Sequence, residues 1–372
     1  MENHNRSTNI PEESILPEEQ LLFRLRNLYR RYGYRMYRMS KFEKYEFYAG
    51  NKDFLASDRI ITFHDTDGEL LALKPDVTLS IVKSAQFRPL QVERLFYQEN
   101  VYRPFGSAGH FREMLQCGLE CIGDLDYYGM FEVLFLAEQS LRAVSEDSVL
   151  SFSHLGLLKG LFRKLGVGEA VQMQLLSLIA ARNLHELTAL FAARGWENSL
   201  LQDLQALLGL SCTLAQLPQA LQALSLSWAE EDVLEELRLL ALLSRHTEDR
   251  ALFDFSVIND LHYYNGLVFQ GFIRGISEKI LSGGRYDSLL RRMDKKGSAA
   301  GFAVYLGLLE QQRKPQTEPE PVHLLYDGNS DLEAVWERAD GLRNQGKLVC
   351  VERNVSDDSR PAEDLRKEVR HA

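Results

Sequence analysis

The strand-like pattern of this sequence is interrupted once, and the interruption limits the folds the chain can adopt. From residue 34 to about 121, residues 60–63, 70–73, 94–97 and 100–102 read as strands, with helical patches at 77–85 and 128–143. Between residues 152 and 246 the composition turns to Leu, Ala, Glu and Gln, with helical spacing in LLSLIAARNLHELTALFAARG and VLEELRLLALLSRH. Strand character returns at residues 253–258 and 267–273, followed by Gly283-Gly284-Arg285-Tyr286-Asp287 and an apolar segment at 299–309. Hairpins and helices in this order predict an α+β domain on an antiparallel sheet, made of residues 18–151 and 247–310 around a helical insertion, 152–246. A length of 372 residues suits one large domain with an insertion as well as it suits two domains.

Residues 1–17 form a polar arm, and residues 18–32 (EEQLLFRLRNLYRRY) place Leu21, Leu22, Leu25 and Leu28 at helical spacing before Gly33. Arg24, Arg26, Arg30, Arg31, Arg35, Arg38, Lys41 and Lys44 make this region locally basic, which reads first as a solvated face and only second as a nucleic-acid site. At the other end, residues 311–321 (QQRKPQTEPEP) are a linker by composition. Residues 322–372 then read as a strand (322–326), a helix (331–345), a second strand (347–352) and a charged tail. One such βαβ unit is too short to make a doubly covered sheet alone.

Net charge excludes one broad class of partner. Lys and Arg total 43 against 53 Asp and Glu, a net charge of -10, which argues against tight non-specific binding to a phosphate backbone. No run of 18 or more uncharged apolar residues occurs and the chain begins polar and acidic, so neither a membrane span nor a secretory signal is expected. Cys117, Cys121, Cys212 and Cys350 form no CxxC pair and have neither disulfide-scaffold nor zinc-ligand spacing. A reducing cytoplasm, with no metal and no cofactor, is the expectation.

Four stretches carry more chemistry than packing requires. In Leu73-Lys74-Pro75-Asp76-Val77-Thr78 a strand ends at a proline, and Asp76 and Thr78 stand where they can cap the next helix, which by itself accounts for them. In ENVYRPFGSAGHFREMLQCGLECIG, residues 99–123, a strand over 114–121 points Gln116, Gly118 and Glu120 to one face. Gly118 would leave open space between an amide and a carboxylate, the floor of a polar pocket. Arg103 and Arg112 bracket a glycine-containing loop suited to gripping a carboxylate or phosphate, although a hairpin with exposed arginines is the plainer reading. In NDLHYYNGLVFQGF, Tyr263 and Tyr264 precede the turn signal Asn265-Gly266, and adjacent tyrosines more often pack than bind. In SGGRYD, residues 282–287, the paired glycines permit close backbone approach, a weak signal alone.

Taken in this order, the four segments resemble the histidyl-tRNA synthetases, a class II synthetase family, from the N-terminal helix to about Leu309. Residues 100–123 look like the family's motif 2, NDLHYY occupies the place of an RGLDYY segment, and GGRYD matches outright. The resemblance implies a class II aminoacyl-tRNA synthetase-like antiparallel sheet with flanking helices and a pocket for histidine. It places Arg103 against the ligand carboxylate or a phosphate, Gln116 against the amino group, and Glu120 with Tyr264 on the imidazole. Asp76, Thr78 and Tyr286 complete the wall, and Tyr263 joins the ligand-binding set. A carboxylate and a phenol are chemically sensible partners for an imidazole N–H.

The departures from the family pattern bear on activity. Asn259 stands where RGLDYY begins with an arginine, and Tyr305-Leu306-Gly307-Leu308-Leu309 stands where the third motif reads GLERL, so both ATP-directed arginines are missing. His110 and His262 replace a motif 2 arginine and the RGLDYY aspartate, and the C-terminal βαβ unit resembles only the start of an anticodon-binding domain. That combination resembles the regulatory subunits of short-form ATP phosphoribosyltransferase, synthetase paralogues acting in the first step of histidine biosynthesis. It implies a non-catalytic subunit with a homodimer core, held in a hetero-oligomer with a separate catalytic subunit. L-Histidine would be the feedback effector, with no binding of tRNA. An active histidyl-tRNA synthetase or another histidine-activating paralogue is the alternative.

Overall fold

The structure is a computed structural model that describes residues 15–55, 57, 59–105, 109–224, 226, 228–247, 250–255, 263–312, 320–327 and 329–353. Among these residues fourteen strands form three sheets. In chain order they are β1 (Arg35–Met36), β2 (Phe42–Lys44), β3 (Thr62–His64), β4 (Leu70–Leu73), β5 (Val92–Phe105), β6 (His110–Gly123) and β7 (Ser148–His154). There follow β8 (Ser211–Thr213), β9 (Ala251–Asp254), β10 (Leu267–Ile273), β11 (Leu281–Arg285), β12 (Ser298–Tyr305), β13 (Val322–Tyr326) and β14 (Val349–Arg353). The chain divides between Gln311 and Gln312 into two compact units.

In the first unit a nine-stranded sheet runs in the order β1-β5-β6-β12-β11-β10-β7-β9-β8. Its spine is the pairing of β5 with β6, antiparallel from Val92 opposite Gly123 to Phe105 opposite His110. The sequence predicts two short strands where β5 is one of 14 residues. The polar residues that break the pattern, Gln98 and Glu99, are held from other elements. Arg26 donates to Gln98 at 2.6 Å, and buried Lys74 pairs with Glu99. Nor is the sheet wholly antiparallel as expected, because β1 joins β5 and β7 joins β9 in parallel. Parallel neighbours need long crossovers, and the segment between β7 and β9 supplies one.

That crossover is the stretch of leucine-rich composition. It contains the helices Leu155–Leu165, Glu169–Ala180, Leu184–Arg194, Asn198–Leu208, Leu217–Gln222 and Glu231–Leu243. It also contains β8, which extends the large sheet, so the stretch is not all-helical. Leu175, Leu204 and Leu240 are buried in the same cluster as Phe152 and Phe269 of the sheet, giving one continuous core. No helix among the described residues is long and apolar enough to cross a membrane.

The two faces of the sheet bury different partners. On one, Cys117, Leu119 and Cys121 of β6 join Leu25 and Tyr29 of the helix Pro17–Arg31 and Met130, Val133, Leu134, Ala137 and Leu141 of the helix Tyr127–Val144. Those five residues fall at spacings of three and four, the apolar stripe of a helix lying on a core. The opposite face packs against Leu79, Ile81 and Val82 of the helix Thr78–Ser84 and against Ala72 of the small antiparallel sheet β2-β4-β3. In the second unit β13 and β14 pair in parallel, and the helix Leu332–Arg343 begins where the Asp331 side chain accepts from the Glu333 amide at 3.0 Å.

Asp126 caps the helix Tyr127–Val144 by accepting from the Gly129 amide at 2.8 Å. Asp126→Ala should cost about 1 kcal/mol, the usual price of losing such a cap. It should appear as a lowered urea midpoint with an unchanged slope, and an unaltered midpoint would refute the assignment.

Candidate functional site

All eight residues singled out from the sequence, Asp76, Thr78, Arg103, Gln116, Glu120, Tyr263, Tyr264 and Tyr286, line one cavity of about 350 Å³ on the helix Thr78–Ser84 side of the large sheet. That volume lies at the small end of small-molecule pockets. Gln116 and Glu120, each 2% exposed, project from β6 on the face opposite Cys117, Leu119 and Cys121, as a period of two requires.

Glu120 lies at the centre. Its Oε1 accepts from the Thr78 hydroxyl at 2.6 Å and its Oε2 from the Tyr286 hydroxyl at 2.5 Å. Burial pushes its carboxyl up to about 8, against the pull of those two hydroxyls and with added repulsion from Asp76. The Nε2 of Gln116, also buried, has no hydrogen-bond partner among the described residues. An unpaired buried amide donor costs free energy that a ligand acceptor would recover.

Asp76 does more than cap. It accepts from the Leu79 amide at 2.9 Å and from Arg103 Nη2 at 3.1 Å, while Arg103 Nε donates to the Pro75 carbonyl. Burial raises the Asp76 carboxyl, opposed by the Arg103 charge. Arg103 and Arg112, expected to bracket an anion, stand opposite each other at the end of the hairpin. Arg103 is turned onto Asp76, and Arg112 lies on the exposed part of β6. The open space expected above Gly118 is corrected. Tyr97, its partner in β5, fills it, since a β-carbon on Gly118 would lie 2.6 Å from the tyrosine oxygen and 2.3 Å from the Phe302 carbonyl.

The remaining wall is aromatic. Tyr263 and Tyr264 stand edge to face with centroids 4.8 Å apart, and Tyr263 also meets Tyr286 at 5.9 Å and Phe54 at 6.2 Å. The sequence reading missed Phe54, Tyr97, Lys279, Ser282 and Tyr305, which also line the cavity. Tyr97 had a usable signal, a large residue at strand spacing able to pair with a glycine; the others reach the site only through tertiary structure. Asn259 and His262 lie outside the described residues. No group of three His, Cys, Asp or Glu side chains that could hold a metal ion occurs among the described residues.

A mixed sheet of this order, with Gln116 and Glu120 on the face that floors a tyrosine-lined cavity, places the chain in a class: a class II aminoacyl-tRNA synthetase-like α+β fold. The sequence matches the family model described as histidyl-tRNA synthetase over residues 10–309. It is 30% identical over 350 residues to an ATP phosphoribosyltransferase regulatory subunit of Moorella thermoacetica, covering 92% of this chain and 89% of that one. It is 29% identical over 353 residues to a histidine–tRNA ligase of Methanocaldococcus jannaschii, covering 91% and 84%. A solved structure described as an ATP phosphoribosyltransferase regulatory subunit/histidyl-tRNA synthetase from Bacillus halodurans superposes with a TM-score of 0.73 at 26% identity, covering 92% of each chain. The chain belongs to the histidyl-tRNA synthetase family and, within it, to the ATP phosphoribosyltransferase regulatory subunits.

The Glu120 carboxyl gives a signed test. Unfolded, it ionises near 4.5; folded, near 8, so between these values the folded chain holds the extra proton. The contribution of this carboxyl is complete below 4.5 and is lost as pH rises through 8. Glu120→Gln removes that loss. Relative to the parent chain, the variant should gain stability between about pH 5 and pH 9, on the order of a few kcal/mol at about 1.4 per pKa unit. Parallel pH profiles of the urea midpoint for the two chains would show that Glu120 titrates normally.

Proposed function

We propose that this protein is the non-catalytic regulatory subunit of a short-form ATP phosphoribosyltransferase and that L-histidine occupies the cavity as feedback effector. The observation that carries the proposal is the buried Glu120 carboxyl, set between Thr78 and Tyr286 in the same cavity as Gln116, whose Nε2 has no partner among the described residues. An imidazole N–H finds an acceptor in Glu120, the Gln116 amide offers its Oε1 to the ligand amino group, and Arg103 lies on the same wall for the carboxylate. Support for the subunit role comes from the relative in Moorella thermoacetica that is named a regulatory subunit of that enzyme. A sensor transmits its signal through differential affinity between two conformations, so the pocket regulates without catalysing any step.

The test is the ATP phosphoribosyltransferase rate of a purified short-form catalytic subunit, with and without this protein, across a histidine titration. Activation by this chain, followed by inhibition as histidine fills the pocket, is the expected result. Absence of both effects would overturn the proposal. Glu120→Gln should weaken histidine binding by about 1–3 kcal/mol, roughly 5- to 150-fold in Kd, and blunt the inhibition.

The pH dependence follows from proton counting. The bound pair of imidazole and Glu120 holds one proton between them, whichever carries it. Free histidine loses its imidazole proton near about 6.5, and the empty pocket keeps its own to about 8. Between those values the separated partners also hold one proton, so binding neither releases nor takes up any. Affinity should peak there and fall about tenfold per pH unit on either side. A calorimetric profile that stays flat from about pH 5.5 to 9 would remove Glu120 as the imidazole partner.

The similarity to a histidine–tRNA ligase supports a second reading, an active synthetase. Histidine-dependent exchange of pyrophosphate into ATP separates the two. Robust exchange would replace the regulatory proposal.

A further inference from the structure

Beside the pocket, outside its lining, lies a second, largely buried polar cluster. It gathers His154 at the end of β7, Glu236 from the helix Glu231–Leu243, Arg285 at the end of β11, and Asp287, the first residue of the helix Asp287–Arg292. His154 Nδ1 accepts from the Gly156 amide at 3.0 Å, so the proton sits on Nε2, which donates to Glu236 Oε2 at 2.9 Å. Arg285 Nη1 donates to the other Glu236 oxygen, and Arg285 Nε to Asp287 Oδ2 at 2.8 Å. Asp287 Oδ1 accepts from the Ala299 amide of β12 at 2.9 Å.

The connections run straight to the tyrosines. Tyr286 lies between Arg285 and Asp287 in the chain, so the cluster grips both of its neighbours. Asn265 directly follows Tyr263 and Tyr264. It donates its amide to the Arg285 carbonyl at 2.9 Å, and its side chain reaches Asp287 at 3.4 Å and accepts from the Ser288 amide at 3.3 Å. The Ser288 hydroxyl donates to the Tyr263 carbonyl at 3.3 Å. Three pocket tyrosines thus stand on two segments that share one ionic clamp.

Glu236, 3% exposed, is the cluster's member from the helical crossover. Val233, Leu237, Leu240 and Leu243 of the same helix already bury its apolar face, so attachment of the helix does not require a buried carboxylate. Burying an ion pair is commonly no better for stability than an apolar replacement. What an ionised, doubly paired Glu236 adds is direction: it fixes the Arg285 guanidinium and, through it, the two tyrosine segments.

We infer that Glu236 is a positioning residue for the pocket, and that the His154–Glu236–Arg285–Asp287 clamp couples pocket occupancy to the helix Glu231–Leu243. This inference deepens the histidine reading and rests on it for its ligand. A bound molecule that presses on Tyr263, Tyr264 or Tyr286 loads the clamp, and the clamp ends on a helix of the crossover. The pocket then has a mechanical output remote from its own wall.

Glu236→Gln keeps the shape and removes the charge. In the ligand-free chain, hydrogen exchange at residues 263–267 and 284–288 should accelerate while the melting transition persists; unchanged protection there overturns the positioning role. With L-histidine as probe, the variant should bind about tenfold more weakly, within the usual range of site coupling. In the parent chain, saturating histidine should slow exchange in residues 231–243, and no change in that helix overturns the coupling. Should Glu236→Gln fail to fold, Arg285→Lys retains the charge, loses the planar fork, and should loosen the same two segments. If the parent chain binds no histidine, the effector reading falls while the ligand-free exchange still decides the positioning role.

Discussion

The pairing of β5 with β6 is the constraint on which the rest of the structure depends. Two long antiparallel strands at fixed register sort every side chain of β6 by parity. Cys117, Leu119 and Cys121 enter the helix-backed core, while Gln116 and Glu120 enter the cavity. A slip of one residue would bury the acid and the amide among leucines and open the cysteines to the pocket. The register that folds the chain is therefore also the register that builds the site.

Burying charged groups within this unit has an energetic cost, and each is met differently. Lys74 is answered by Glu99, Arg103 by Asp76, and Glu236 by His154 and Arg285, which hold its carboxyl at about 2 despite the upward push of burial. Glu120 is met by the hydroxyls of Thr78 and Tyr286, so burial wins and it keeps its proton to about 8. Two carboxyls on one unit thus move in opposite directions. Glu236 has the charge state of a structural clamp, and Glu120 that of a group ready to exchange a proton with something that enters.

Much of this was legible in the sequence wherever local periodicity decides structure. The strand β10, the alternation around Gln116 and Glu120, and the placement of Asp76, Thr78 and Tyr286 on one cavity follow from spacing and family resemblance. What stayed hidden was set by distant partners. Gln98 and Glu99 look like a strand break until Arg26 and Lys74 are placed beside them. Glu236 sits in EDVLEELRLL, where an acid reads as solvent-facing, and its burial is decided by His154 and Arg285, 82 and 49 positions away. Tyr97 carried a signal as a large residue at strand spacing, but the register of two strands decides that it fills the gap at Gly118.

The charge of the empty cavity bears on what it can accept. Arg103 is balanced by Asp76, Lys279 and Asp53 add one charge of each sign to the lining, and Glu120 is protonated at neutral pH. The lining is therefore close to electroneutral. A zwitterion brings no net charge. It can meet the Gln116 amide at its amino group and, if its side chain is a weak base, share the Glu120 proton without requiring another from solvent. The amino acid whose side chain titrates nearest to neutrality is histidine, which is why the electrostatics of the cavity suit the effector proposed for it.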